Sequence, residues 1–143
     1  MAIRVQNEAF DPWQELATYS AAQGLSSAGR FGATAVFIGN LRDFNQGQSV
    51  TAMTLEHYPG MTEAYLEKIS NEARMRWELV DTFIIHRYGP LTLGDPIVLV
   101  AVWSAHRDAA FAACRYLIDE LKTRAPFWKH EVTSEGGRWV RPE

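Results

Sequence analysis

The sequence predicts an α+β domain with a mostly antiparallel or mixed sheet. Three observations carry that expectation. Apolar runs of strand length, ATAVFIGN and PIVLVAVWS among them, are interspersed with stretches of helical spacing, yet strands and helices do not follow strict β-α alternation. The length of 143 residues suits one domain, residues 1–143. Apolar residues make up 47% and charged residues 22%, which supplies enough apolar material for a core.

The elements follow in chain order. IRVQ is a short strand. DPWQELATYSAAQ reads as a helix, with Asp11 as N-cap, Pro12 at the first helical position and Gly24 placed to end it. ATAVFIGN is largely apolar and reads as a strand buried on both faces. LRDFNQGQS is a polar loop of about nine residues, longer than a hairpin needs, and loops of that kind often carry function. VTAMTLEHY alternates and returns as a strand. In PGMTEAYLEKISNEARMRW, Met61, Tyr65, Ile69 and Ala73 mark one helix face. VDTFIIHRYG is a strand, PLTLGD a turn and PIVLVAVWS another buried strand. AHRDAAFAACRYLIDELKTR is the longest predicted helix, with Ser104 as its N-cap and Phe111, Cys114 or Arg115, and Ile118 or Leu121 facing inward. FWKHEVT and RWV form a closing strand pair around SEGG.

Composition narrows the function. A net charge of -3 argues against bulk affinity for nucleic acid or anionic membrane, so any anion site must be a local cluster of cations. The one cysteine, Cys114, sits in an apolar helical pattern and reads as a small buried hydrophobe; an unpaired cysteine fits a reducing compartment. The stretch MAIRVQNEAFDPW lacks the apolar centre of a signal peptide, and no apolar run reaches the roughly 20 residues that span a bilayer. The expectation is a soluble cytoplasmic protein. There is no phosphate-binding loop ending in Lys-Ser/Thr and no dinucleotide fingerprint. His57, His86, His106 and His130 show no metal-ligand spacing, so no metal site is expected. Ser104 and His106 lie too close in sequence for a nucleophile pair.

What remains is a set of cations at element ends. Arg42 opens the polar loop. His106 and Arg107 begin the long helix, where unpaired backbone N–H groups favour an anion. In LKTRAPFWKHE, Lys122 closes that helix and Lys129 starts the next strand, on either side of a proline and two aromatics. Taken alone, Arg42 and Lys129 read first as solvated surface charges and Lys122 as a complement to the helix dipole, while His106-Arg107 fit an ordinary first turn as well as an anion site. Together they fit a phosphate or carboxylate site. A lysine beside a rigid aromatic wall can also serve as a base or nucleophile.

IGNLRDFNQGQSVTAMTLEHYPGMTE, IIHRYGPLTLGD, SAHRDAAF and LKTRAPFWKHE…GGRWV occur in that order. Together they resemble the large, catalytic subunit of molybdopterin synthase, from about Ala33 to Val140. The resemblance implies an α/β-hammerhead fold. It implies conversion of a cyclic pyranopterin monophosphate, precursor Z, to molybdopterin by insertion of two sulfurs. The donor would be a small ubiquitin-like carrier subunit whose C-terminal Gly-Gly ends in a thiocarboxylate and enters a pocket of the large subunit. Two large subunits would form the centre of a heterotetramer, and no metal or redox cofactor is required. A non-catalytic module that only binds the pterin or the sulfur carrier is the alternative. A single-strand nucleic-acid binder using Trp128 and Trp139 fits the acidic total poorly.

Matched position by position, the resemblance assigns catalysis to Lys122 and Lys129. It assigns substrate contacts to Asn40, Leu41, Arg42, His106, Arg107, Lys122, Lys129, His130 and Glu131, and it places Phe37 near the pocket. Two positions depart from the family pattern: Phe44 replaces a histidine common in the loop, and His130 stands where arginine is common. One further expectation comes from helix length. His106-Arg107 and Lys122 are about 15 residues apart, roughly 22 Å along an unbroken helix, too far for one pterin monophosphate to bridge easily. The site would then be shared across a two-fold axis, with His106 and Arg107 of one chain reaching the lysines of the other.

Overall fold

The computed structural model describes residues 1–25, 29–45, 48–133 and 136–140, with the backbone alone for residues 44, 45 and 48–51. In chain order the elements are β1 (Ala2–Gln6), α1 (Pro12–Ala22), β2 (Ala33–Asn40), β3 (Phe44–Asn45), β4 (Gln48–His57), α2 (Met61–Arg76), β5 (Leu79–Arg87), β6 (Gly89–Thr92), β7 (Pro96–Ser104), α3 (Arg107–Arg124), β8 (Phe127–Thr133) and β9 (Gly136–Val140). They form two sheets. The first runs β1-β5-β7-β2, and the second runs β3-β4-β8-β9 with β6 also paired to β4. β1 pairs parallel to β5, and the other pairings are antiparallel. The mixed, mostly antiparallel α+β architecture is the one the sequence predicts.

The first sheet is covered on both faces, which explains why β5 and β7 read as continuous apolar runs. On one face Phe83, Ile85, Leu99, Ala101 and Trp103 pack under α1 and Leu25. The Tyr19 ring stacks on Phe83 at 4.2 Å. On the other face Ala35, Ile84, Val98, Val100 and Val102 meet Leu66, Ile69 and Ala73 of α2 and Ala113, Cys114, Leu117, Ile118 and Leu121 of α3. The second sheet has its own small core of Leu41, Met53, Leu55 and Leu91.

Helix α1 starts as its sequence predicts. The Asp11 carboxylate accepts from the backbone N–H groups of Trp13 and Gln14, Pro12 follows, and Gly24 at φ +64° stands just past the end. Several expectations need correction. β2 is an edge strand, so only Ala35 in it is fully buried. The polar loop after it contains a short strand, because β3 pairs with the start of β4. PLTLGD is not all turn; its first residues form β6 against β4. The inner face of α2 is Thr62, Leu66, Ile69, Ser70 and Ala73, leaving Met61 58% exposed. Phe111 of α3 points outward and is 69% exposed, whereas Cys114, Ile118 and Leu121 are buried. Ser104 is not the N-cap of α3. His106 occupies that position, and the Ser104 hydroxyl accepts from the His106 N–H and donates to the Glu78 carbonyl. Ser134 and Glu135 of the expected SEGG connection and the Phe44 side chain lie outside what is described. No helix among the described residues is long and apolar enough to cross a membrane.

Candidate functional site

The joint between α3 and β8 is stiff for identifiable reasons. Pro126 forces Ala125 out of the helical region, to φ -65° and ψ 142°. Ala125 is buried, and its carbonyl accepts from the Phe127 N–H at 2.8 Å. The Thr62 hydroxyl, itself buried, accepts from the Tyr58 N–H and donates to the Pro126 carbonyl at 3.2 Å, pinning the joint to the start of α2. Phe127 packs against both the α3-side core and the core of the second sheet.

A pocket of about 360 Å³ opens beside this joint. Lys122 and Leu121 line it from α3, and Phe127, Lys129 and Glu131 line it from β8. Residues 127, 129 and 131 alternate onto one face of their strand, the face shared with buried Met53 and Leu55 of β4. Phe37, Gly39, Asn40, Leu41 and Arg42 form another wall. The register between β2 and β7 shifts at Gly39/Asn40, and such an irregularity re-aims the chain that follows. Asn40 Nδ2 donates to the Gly94 carbonyl at 3.1 Å. The Leu41 N–H donates to the Asp95 carbonyl, and the Leu41 carbonyl accepts from Gly94 N–H. Asp95 is in turn fixed by the Thr92 N–H and by Arg87, whose guanidinium also reaches the Asn7 carbonyl. These contacts hold the segment that carries Arg42.

Electrostatically the pocket combines three cationic side chains, Arg42, Lys122 and Lys129, with one carboxylate. That carboxylate, Glu131, is 2% exposed and accepts from Arg138 Nε at 3.1 Å and Nη2 at 3.0 Å. Its charge is therefore compensated from β9, and among the described residues the pocket lining carries more cations than carboxylates. Cys114 lies outside this pocket; burial pushes its thiol up to about 11, which makes it a poor nucleophile. Among the described residues no three His, Cys, Asp or Glu side chains cluster as a metal site would.

Of the residues singled out from the sequence, the structure brings Phe37, Asn40, Leu41, Arg42, Lys122, Lys129 and Glu131 around one cavity. It does not bring in His106, Arg107 or His130. His106 and Arg107 are exposed at the start of α3, and the helix is continuous from Arg107 to Arg124. His130 falls on the opposite face of β8 from Lys129, where its ring meets Trp139 edge-on at 5.0 Å. Sequence reasoning missed Gly39 and His86. The glycine is needed because a Cβ there would stand 2.9 Å from Val98 Cγ1 and 3.3 Å from the Phe37 ring. His86 lies in an apolar strand pattern, where nothing local distinguishes a pocket residue from a core residue.

The fold and this cleft define a small α+β domain whose pocket combines apolar walls with three cations, Arg42, Lys122 and Lys129, the two lysines carried on a helix and a strand. Residues 5–124 match the MoaE protein family, and the chain belongs to that family. It is 56% identical, over 98% of its length and 90% of the relative's, to the molybdopterin synthase catalytic subunit of Pseudomonas aeruginosa. Among solved structures it is similar to the molybdopterin biosynthesis MoaE protein of Burkholderia ambifaria, with 48% identity, a TM-score of 0.80 and coverage of 99% of this chain and 90% of that one. Molybdopterin synthase from Staphylococcus aureus also shares the fold, at 31% identity and a TM-score of 0.81, over 96% of this chain and 95% of that one.

Proposed function

We infer that this chain is the catalytic subunit of a molybdopterin synthase. In that role it transfers sulfur from the C-terminal thiocarboxylate of a small ubiquitin-like carrier subunit to precursor Z, forming the dithiolene of molybdopterin. The observation that carries the reading is the placement of Lys122 and Lys129 on either side of a pinned joint, facing one cavity that Arg42 also lines. Membership in a family whose relatives are named catalytic subunits supports it. A Gly-Gly tail is thin enough to enter between the two layers. Lys122 holds the thiocarboxylate there and passes a proton to the oxygen that leaves the substrate carbon as sulfur bonds to it; water then cleaves the acyl C–S bond, leaving the sulfur on the substrate and the carrier's tail as a carboxylate, with a second carrier supplying the second sulfur. Lys129 assists, and Arg42 takes the phosphate. Fixing the two lysines before the ligands arrive removes much of the entropic cost of bringing donor and acceptor together. The reaction belongs in the cytoplasm.

His106 and Arg107 enter this scheme from a second copy. From Arg107 to Lys122 the helix rises roughly 22 Å, beyond the reach of one pterin monophosphate. Phe111, one turn from Arg107 on the same helix side and largely exposed, suits an interface there. Two such chains with a carrier at each end make the heterotetramer. The deciding experiment mixes the protein with thiocarboxylated carrier and precursor Z and assays molybdopterin. Wild type should form product, whereas Lys122→Ala should form none while keeping its fold and most of its affinity for the carrier. Carrier binding without product by the wild type would make the chain a binding module, and wild-type turnover by Lys122→Ala would remove that lysine from the mechanism.

A further inference from the structure

His86 lines the pocket, 5% exposed, near the end of β5. Its ring stacks on Phe127 at 3.8 Å between centroids, with planes 19° apart. Nδ1 lies 2.8 Å from the Arg87 carbonyl, which can only accept, so Nδ1 carries the hydrogen and Nε2 presents a bare lone pair. Burial, together with the nearby Lys129 and His57, keeps the imidazole neutral, its pKa lowered to about 4 against the carbonyl's opposing effect. Among the described residues no hydrogen bond to Nε2 is made, and His86 lines the cavity.

The fold uses the ring face and the Nδ1 edge of His86. It does not use Nε2, and an acceptor left unmatched in an apolar surround is costly. The charged side chains of the pocket suit an anion: Arg42, Lys122 and Lys129 are donors, and Glu131 is held by Arg138. A ligand N–H group would find its matching uncharged acceptor at His86. We propose that His86 is a binding residue of this pocket, its Nε2 accepting a hydrogen bond from an N–H group of the occupant. The proposal rests on the pocket being the substrate site. Two occupants offer that chemistry, the pterin ring system through its ring and amino N–H groups and the carrier's C-terminal tail through a peptide N–H.

The test measures affinities of precursor Z and of the carrier separately, by calorimetry, for wild type, His86→Phe and His86→Gln, after thermal melts establish that each is folded. His86→Phe keeps the stacking and loses the acceptor; the amide oxygen of His86→Gln can reach the Nε2 position. A selective loss of about tenfold in His86→Phe, the size expected for one hydrogen bond, with most of it recovered in His86→Gln, supports the proposal. Loss toward precursor Z identifies the pterin as the donor, and loss toward the carrier identifies the tail. In protein labelled with 15N-histidine, the Nε2 resonance should also shift when that ligand binds, which a purely structural ring would not show. Unchanged affinity for both ligands in His86→Phe overturns the proposal. So does equal loss for both ligands with no recovery in His86→Gln, which reassigns His86 to packing. Failure of the wild type itself to bind either ligand overturns the reading of the pocket, and this proposal with it.

Discussion

Acidification should destabilise this protein through His86, and the size of the effect follows from its burial. The ring is neutral in the folded state, with a pKa lowered from 6.5 to about 4, chiefly by desolvation. Because the folded pKa lies below the unfolded one, the unfolded chain takes up a proton first as pH falls. The contribution is fully present above about pH 7, is lost between about 6.5 and 4, and levels off below that. The full span corresponds to about 3 kcal/mol, of which about 2 kcal/mol is lost between pH 7 and pH 5. Urea denaturation of wild type and His86→Phe at several pH values isolates the term. Phenylalanine keeps the burial and the stacking on Phe127 but cannot be protonated, and the remaining ionisable groups are common to both proteins. Wild type should lose about 2 kcal/mol more than the variant between pH 7 and pH 5. Parallel curves, within about 0.5 kcal/mol, would refute the argument that His86 is held neutral by its surroundings.

Three further outcomes can be checked. Arg42→Ala should weaken precursor Z binding in a direct titration, and Arg42→Lys should recover only part of the loss, because lysine lacks the planar two-pronged donor. Gly39→Ala should lower stability by about 1–3 kcal/mol in chemical denaturation and raise KM, since its Cβ must displace Val98 or the Phe37 ring at the pocket wall. If each site is shared between two copies as proposed, mixing inactive Arg107→Ala with inactive Lys122→Ala should restore part of the activity, because a mixed dimer would hold one site with both defects and one intact site. Subunit exchange without recovered activity would place the whole site in one chain.

The legible parts of the fold were those in which one local rule acts alone. Asp11-Pro12 starts a helix by capping and ring geometry, and β5 and β7 announce themselves because both of their faces are covered. The misread parts depended on neighbours far along the chain. β2 has the composition of a central strand but lies at an edge, and β6 looks like a turn until β4 supplies its partner. In α2 the stripe Met61-Tyr65-Ile69 and the stripe Thr62-Leu66-Ile69 are both plausible at helical spacing. The choice fell to Thr62, whose hydroxyl is needed at Pro126. Phe111 had the right spacing for the core and still faces outward. At the site, the lysines and Arg42 were visible as charges at element ends. His86 was not, since its distinguishing feature is an unused nitrogen that only the assembled cavity defines.

The site's position follows from the way the two sheets meet. The first sheet and its helices bury one core, and the second sheet buries a smaller one. Phe127 packs against both. A seam between two cores is where side chains fit least continuously, so a cavity forms there without weakening either core. It is also where one short connection, from α3 to β8, passes from the first layer to the second. Lys122 stands on the last turn of that helix and Lys129 on the first residues of the strand. Their separation is therefore set by Pro126, Thr62 and Phe127 rather than by either sheet alone. Loosening that connection would disturb the pairing of the two lysines before it unfolded either core, so the stiffness of LKTRAPFWKHE bears on where the two lysines stand more directly than on stability.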